Sequence, residues 1–377
     1  MKVIVIAGTR PEAIKVAPIV RELKKHPEVE TLLCNSGQHK EMISQTFSDF
    51  NLTPDISLDV MSPGQTLASL SSKLFVAVDK VLEDEKPDWV VVQGDTTTVM
   101  VSALCAFYRK IKVAHVEAGL RSYEKYAPFP EEINRQMVTR VADLHFAPTR
   151  AAYANLIKEG ISADDCFVTG NTVIDSLVWV VDYLKDKPQY LDERVRNAVA
   201  ESKRIILVTG HRRENFGSGF EEICRAVRKL ADSYADCLFV YPVHLNPNVQ
   251  QPVRKFLGDH DRIMLCDPLS YLHFQALLSV SYLVLTDSGG IQEEAPALNK
   301  PVLVMRDVTE RPEGVKAGCA KLVGAHTDLI VQGVSELLDN KDIYKRMAAA
   351  KNPYGHGHAA VRIVDAILSA SSDKLRS

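Results

Sequence analysis

The chain has 377 residues, 46% of them hydrophobic and 25% charged, which is ordinary globular usage and excludes a disordered or fibrous architecture. That length exceeds what one hydrophobic core usually supports and predicts two domains. A formal net charge of -3 excludes a broad basic face and a nucleic-acid partner, so any anionic ligand must be held by a few local cations.

The first predicted strand, KVIVIA, runs into Gly8-Thr9-Arg10-Pro11-Glu12. Thr9 and Glu12 have capping-box spacing, and Pro11 suits a first helical turn. Neither accounts for Arg10 and Lys15, cations near a positive helix end that only an anion would favour. They are read as ligands for a diphosphate or an adjoining sugar, with a solvated pair as the alternative. The opening apolar run is too short for a signal peptide, and no segment approaches the ~20 apolar residues that span a bilayer. The expected location is therefore the cytoplasm, without a membrane partner.

TLLCN, DWVVVQGD, KVAHVEAG, DLHFAPT and CFVTGN follow as strands separated by helix-length stretches. That alternation predicts a parallel sheet covered on both faces. DWVVVQ ends at Gly94-Asp95, VAHV ends at Glu117, and Glu131 follows Pro128-Phe129-Pro130. These three carboxylates are expected to meet at one sheet edge for proton transfer, with capping or ion-pair roles as alternatives. His115 and His145 lie inside apolar runs and read as core or supporting histidines.

The pattern restarts after about Gly170 with RIILVTGH, CLFVYPVH, RIMLCD, YLVLTDSGG, PVLVM and AKLVG. The expected division is residues 1–170 and 171–357, with a C-terminal helix over 358–377 packing back on the first domain. Ligands of open parallel sheets bind beyond the carboxyl ends of the strands. RIILVT ends at His211, Arg212 and Arg213, YPV ends at His244, and YLVLT ends at Asp287-Ser288-Gly289-Gly290. The Ser-Gly-Gly turn entering a helix is a phosphate site by its free N–H groups and dipole, unless Ser288 is simply an N-cap. Glu294, one turn on, is a candidate for ribose hydroxyls or a solvated first-turn acid. His211 is a candidate for binding or protonating a leaving phosphate, with Arg212 and Arg213 to neutralise its charge.

No Gly-x-Gly-x-x-Gly follows the first strand and no P-loop pattern occurs, which disfavours NAD and P-loop nucleotide chemistry. Tyr108 and Lys112 have Tyr-x-x-x-Lys spacing but lack that glycine fingerprint. No His-x-His or clustered Asp pattern calls for a metal. The seven cysteines form no Cys-x-x-Cys pair and read as reduced thiols. No cofactor is expected.

In order, the chain carries GTRPEAIK, GQHKEM, GQT, VQGDTTT, HVEAGLRS, FPEEINR, GNTVID, TGHRRENFG, YPVHLNPNV, DSGGIQEEAP and RPEG. In these it resembles the bacterial non-hydrolysing UDP-N-acetylglucosamine 2-epimerases, from Met1 to about Ala370. The resemblance implies a glycosyltransferase-B-like pair of Rossmann-like doubly wound domains, an active site in the cleft between them, and a homodimer. It implies reversible conversion of UDP-N-acetylglucosamine to UDP-N-acetylmannosamine without a cofactor. Asp95, Glu117, Glu131 and His211 match the family's catalytic positions, and Arg10 and Lys15 match positions that contact substrate. Ser288, Gly289 and Gly290 match its diphosphate turn, Glu294 its ribose acid and Phe274 its uracil position, while Arg213 and His244 fall near the phosphates or the interdomain face. Gln38, His39 and Gln65 match a second, regulatory site of some relatives, although Glu41 and Gly64 depart from the regulated pattern. The competing readings are a hydrolysing epimerase, a glycosyltransferase of the same architecture and a nucleotide-sugar sensor.

Overall fold

The computed structural model describes residues 1–37, 40–62 and 64–372. The chain divides into two compact units, Met1–Ser176 with Tyr354–Ser377, and Leu177–Pro353. Each is built on a doubly wound parallel sheet, as the alternation of strands and helices predicts.

In the first unit the strands are β1 (Lys2–Ala7), β2 (Glu30–Asn35), β3 (Ile56–Ser57), β4 (Trp89–Gln93), β5 (Lys112–Val116), β6 (Leu144–Ala147) and β7 (Cys166–Val168). They lie in the order β3-β2-β1-β4-β5-β6-β7. The winding therefore changes direction between β1 and β4, opening a crevice at their carboxyl ends. Ile4, Ile6, Val90 and Val92 share one core with Leu74 and Val78 of the helix Leu67–Glu85 and Val99 of the helix Thr97–Tyr108. Burial on both faces explains why these strands are nearly unbroken runs of Val and Ile. The helix Ala359–Ser372 packs on the helix Arg10–Leu23. The Ala360 N–H donates to Asp175 at 2.9 Å and the Trp89 indole N–H donates to Ser371 at 2.9 Å.

The second unit contains β8 (Arg204–Thr209), β9 (Cys237–Pro242), β10 (Ile263–Cys266), β11 (Leu283–Thr286), β12 (Val302–Val304) and β13 (Ala320–Leu322). Their order, β10-β9-β8-β11-β12-β13, puts its reversal between β8 and β11. Ile206, Val208, Phe239 and Tyr241 enter one core, while Ile205, Leu207, Leu238 and Val240 enter the other. That is the period-two alternation of strands covered on both sides. Among the described residues no helix is long and apolar enough to cross a membrane.

Candidate active site

At the first crevice, β1 feeds the helix Arg10–Leu23, whose start is closed by Glu12: its carboxylate accepts from the Gly8 and Thr9 N–H groups at 2.6 and 2.9 Å. The Thr96 hydroxyl donates to the other Glu12 oxygen at 2.5 Å, tying this turn to the one after β4. Structure thus absorbs Glu12. Arg10 is half-exposed and has no hydrogen-bonding or ionic partner among the described residues. Lys15 is different, because its ammonium stands 2.5 Å from the Glu117 carboxylate and so helps to aim that group.

Glu117 follows β5 directly and receives the Gln93 amide at 2.5 Å as well. Its φ is +66°, a left-handed conformation that costs a non-glycine residue roughly 1 kcal/mol. Holding a glutamate where glycine would be cheaper points to use of its side chain. Asp95 is gripped by Arg135, whose Nε and Nη2 donate at 2.8 and 2.7 Å, and its carbonyl accepts from the Asn134 amide at 2.8 Å. Both partners lie on the helix Glu131–Val141, so Asp95 is fastened to the helix that Glu131 begins. Glu131 has no hydrogen-bonding or ionic partner among the described residues. Its neighbour Glu132 is buried and accepts from the Ser122 and Tyr123 N–H groups and the Gln136 amide. Burial opposes its ionisation, but these donors and Arg135 outweigh that and hold its pKa below the usual value. Of the Glu-Glu pair, therefore, one builds the loop and the other is available for chemistry.

His115 and His145 are register partners on β5 and β6 and almost wholly buried. Burial pushes their pKa values down to about 3 and about 4, so both are neutral core groups. His115 Nε2 lies 2.8 Å from the Gly94 carbonyl, which can only accept, and so it braces the turn that carries Asp95.

At the second crevice Thr209 and Thr286 end adjacent strands and share a 2.6 Å hydroxyl contact. Beyond them come His211 and Asp287. The helix Gly289–Ala297 starts from Ser288, whose hydroxyl makes no capping bond, leaving it and the first-turn N–H groups available to an anion. Arg212 lies over this turn, its Nη2 3.8 Å from where a Cβ on Gly289 would stand, and its buried Nε has no hydrogen-bond partner among the described residues. Arg213 is exposed one residue further on. The resemblance singles out Arg213, yet geometry puts Arg212 at the turn. Adjacent arginines are equivalent in a linear pattern, and only the path of the loop separates them.

Glu294 is buried, and the Tyr271 hydroxyl donates to it at 3.3 Å. Phe274, half-buried, follows on Tyr271's helix, Tyr271–Val280. His244 is exposed and stacks on His211, with ring centroids 5.6 Å apart at 22°. Burial lowers the His211 pKa, Asp287 opposes that, and Arg212 and His244 reinforce it. A 510 Å³ cavity of this unit, lined by Lys203, Cys237 and Arg262, sits at the opposite, amino ends of the strands. Of the expected regulatory residues, Gln38 and His39 lie outside the described residues. The Gln65 side-chain oxygen accepts from the Ser62 N–H at 2.8 Å, while its buried amide nitrogen has no hydrogen-bond partner among the described residues.

Residues 21–368 match the family of UDP-N-acetylglucosamine 2-epimerases. The UDP-N-acetylglucosamine 2-epimerase of Escherichia coli K12 is 48% identical over 369 residues, 97% of this chain and 98% of that one. The enzyme of the same name from Bacillus subtilis 168 is 50% identical over 368 residues, 98% of this chain and 95% of that one. The crystal structure of the Neisseria meningitidis UDP-GlcNAc 2-epimerase bound to UDP-GlcNAc superposes with a TM-score of 0.89 at 45% identity, covering 98% of this chain and 100% of that one. With carboxylates at one sheet reversal, a Ser-Gly-Gly helix start at the other and matches of this extent, the chain belongs to the UDP-N-acetylglucosamine 2-epimerase family.

Proposed function

We propose that the protein interconverts UDP-N-acetylglucosamine and UDP-N-acetylmannosamine without hydrolysis, in the cytoplasm, supplying a precursor for surface polysaccharide. The observation that carries the reading is the division of labour between the two sheet reversals. Asp95 and Glu117, with Glu131 at the head of the helix that fastens Asp95, stand at one, and His211, Arg212 and the Ser288-Gly289-Gly290 turn stand at the other; we read the first as proton-transfer groups and the second as anion-binding groups. Arg10, Lys15, Arg213 and His244 are read as further substrate contacts, with Glu294 at the ribose and Phe274 at the uracil.

The chemistry follows from the substrate. C2 of the sugar has no adjacent ketone, so its proton is not acidic enough for simple abstraction. A carboxylate takes the C2 proton as the C1–oxygen bond breaks, the bonding electrons leave with UDP, and 2-acetamidoglucal remains. UDP then re-adds at C1 while a carboxylic acid returns a proton to the other face of C2. Negative charge gathers on the departing diphosphate, where preorganised donors contribute most. No redox partner is consumed.

Proton NMR of UDP-N-acetylglucosamine in D2O with the enzyme, without added nicotinamide or metal, tests this. UDP-N-acetylmannosamine carrying deuterium at C2 is the expected product. Free N-acetylmannosamine with UDP would replace the reading by a hydrolysing one, and an unchanged spectrum would return glycosyl transfer or sensing to the front.

The proposal includes a homodimer. Val76, Tyr108 and Phe107 are 73%, 67% and 54% exposed on the packed helices Leu67–Glu85 and Thr97–Tyr108. Asp79, Lys80 and Glu83 beside them carry both charges, as a surface that pairs with its own twofold copy requires. Val76→Glu is expected to convert a dimer to a monomer in light scattering. A wild-type monomer, or a variant that stays dimeric, removes this face from the proposal.

A further inference from the structure

Asp287 is completely buried between β11 and the Ser288 turn. One of its oxygens, Oδ2, accepts from the N–H groups of His211 and Arg212, each at 2.9 Å, and from the Asn215 amide at 3.4 Å. That oxygen shapes the loop. The other, Oδ1, makes no hydrogen bond among the described residues and stands 3.4 Å from Nδ1 of His211. A buried carboxylate oxygen without a donor is costly, and the ring N–H is the donor within reach.

We propose that Asp287 is the positioning residue of His211: Oδ1 accepts a hydrogen bond from Nδ1–H, fixes the ring, and turns Nε2 toward the leaving diphosphate. The inference rests on the reading of His211 as a group that contacts substrate. An imidazole held this way carries its second proton readily once an anion faces Nε2, the logic by which a buried aspartate supports a catalytic histidine.

The groups facing the ring are Asp287, Arg212 and His244. The His244 Nδ1 accepts from the Asn246 N–H at 3.1 Å, so a neutral His244 bears its proton on Nε2. Tyr241 faces Asp287 from below, and its hydroxyl donates to the Gly210 carbonyl at 3.3 Å. In the free enzyme, burial, Arg212 and His244 favour the neutral ring over Asp287's pull. An arriving diphosphate reverses that balance. Binding takes up a proton, and the 3.4 Å gap closes as imidazolium forms between two anions.

Asp287→Asn keeps an oxygen for the two backbone N–H groups but offers Nδ1 an amide instead of a charge. Its pH profile of kcat/KM is expected to lose its alkaline limb about one pH unit earlier than wild type, with a deficit of about 10-fold at pH 8 that narrows as pH falls. A profile parallel to wild type, or a uniform loss accompanied only by a lower unfolding temperature, overturns the proposal. His211→Asn is measured alongside. If it retains activity within about threefold, the reading of His211 fails and the inference with it; if it loses about 100-fold while the Asp287→Asn limb does not move, the inference alone fails. Independently of how the variant folds, the wild-type complex with UDP is expected to show a downfield imidazole N–H proton that is missing in His211→Asn. Its absence from wild type also overturns the proposal.

Discussion

Glu117→Gln is expected to lower kcat for epimerisation by about 1000-fold while KM for UDP-N-acetylglucosamine stays within about threefold, the signature of a lost proton transfer and not of lost binding. Glutamine preserves the shape and an acceptor for Lys15 and Gln93, which hold the carboxylate at 2.5 Å each. It removes only the capacity to take a proton. Deuterium appearance at C2 in D2O, measured separately from product formation, reads the step directly. Exchange at the wild-type rate in this variant would remove Glu117 from proton transfer and leave Asp95 and Glu131 to share both faces of C2. The Lys15 ammonium keeps an oxygen acceptor in the variant but loses the opposite charge at that position, so a small fall in unfolding temperature is also expected.

The second large effect is on the scaffold. Gly119 has a φ of +85°, and a Cβ there would stand 2.2 Å from the Ala152 carbonyl oxygen and 2.8 Å from its carbon. Those atoms belong to the backbone of the helix Arg150–Lys158, so no side-chain rotation relieves the contact. The helix is also bound to this spot by the Asn155 amide, which donates to the Gly119 carbonyl at 3.0 Å. Gly119→Ala must therefore combine left-handed strain with displacement of a packed helix, together roughly 3–5 kcal/mol of stability. Gly119 lies two residues after Glu117. A shift on the order of 1 Å at that carboxylate costs about 100-fold in rate. Urea unfolding and kcat of the same preparation check both parts. A variant with parental stability would mean that the helix yields freely, and the argument from backbone contact would be lost.

Glu117 and Gly119 show how far a linear reading reaches. That a carboxylate ends β5 is visible in VAHVEAG, because strand periodicity stops there and polar residues at carboxyl ends of parallel strands mark ligand sites. Its left-handed backbone and its pairing with Lys15, 102 residues away, are not. The same holds for Glu132. In the letters it is the equal of Glu131, and only the fold of the preceding loop buries one and leaves the other without a partner among the described residues.

The two doubly wound sheets, the polar residues at the ends of their strands and, through a series of ordered motifs, the family are legible in the amino-acid order alone. Local periodicity and short-range turn chemistry suffice for these, since strand, helix and phosphate turn are each encoded within a few neighbouring residues. Only the tertiary structure decided which strand ends are neighbours. β8 and β11 lie side by side although Thr209 and Thr286 are 77 residues apart. That pairing buries Asp287 beside His211 and brings Arg212, not Arg213, over Gly289. Strand order is set by how crossover helices bury both faces of a sheet, an energy that belongs to the packed unit and to no stretch of sequence alone.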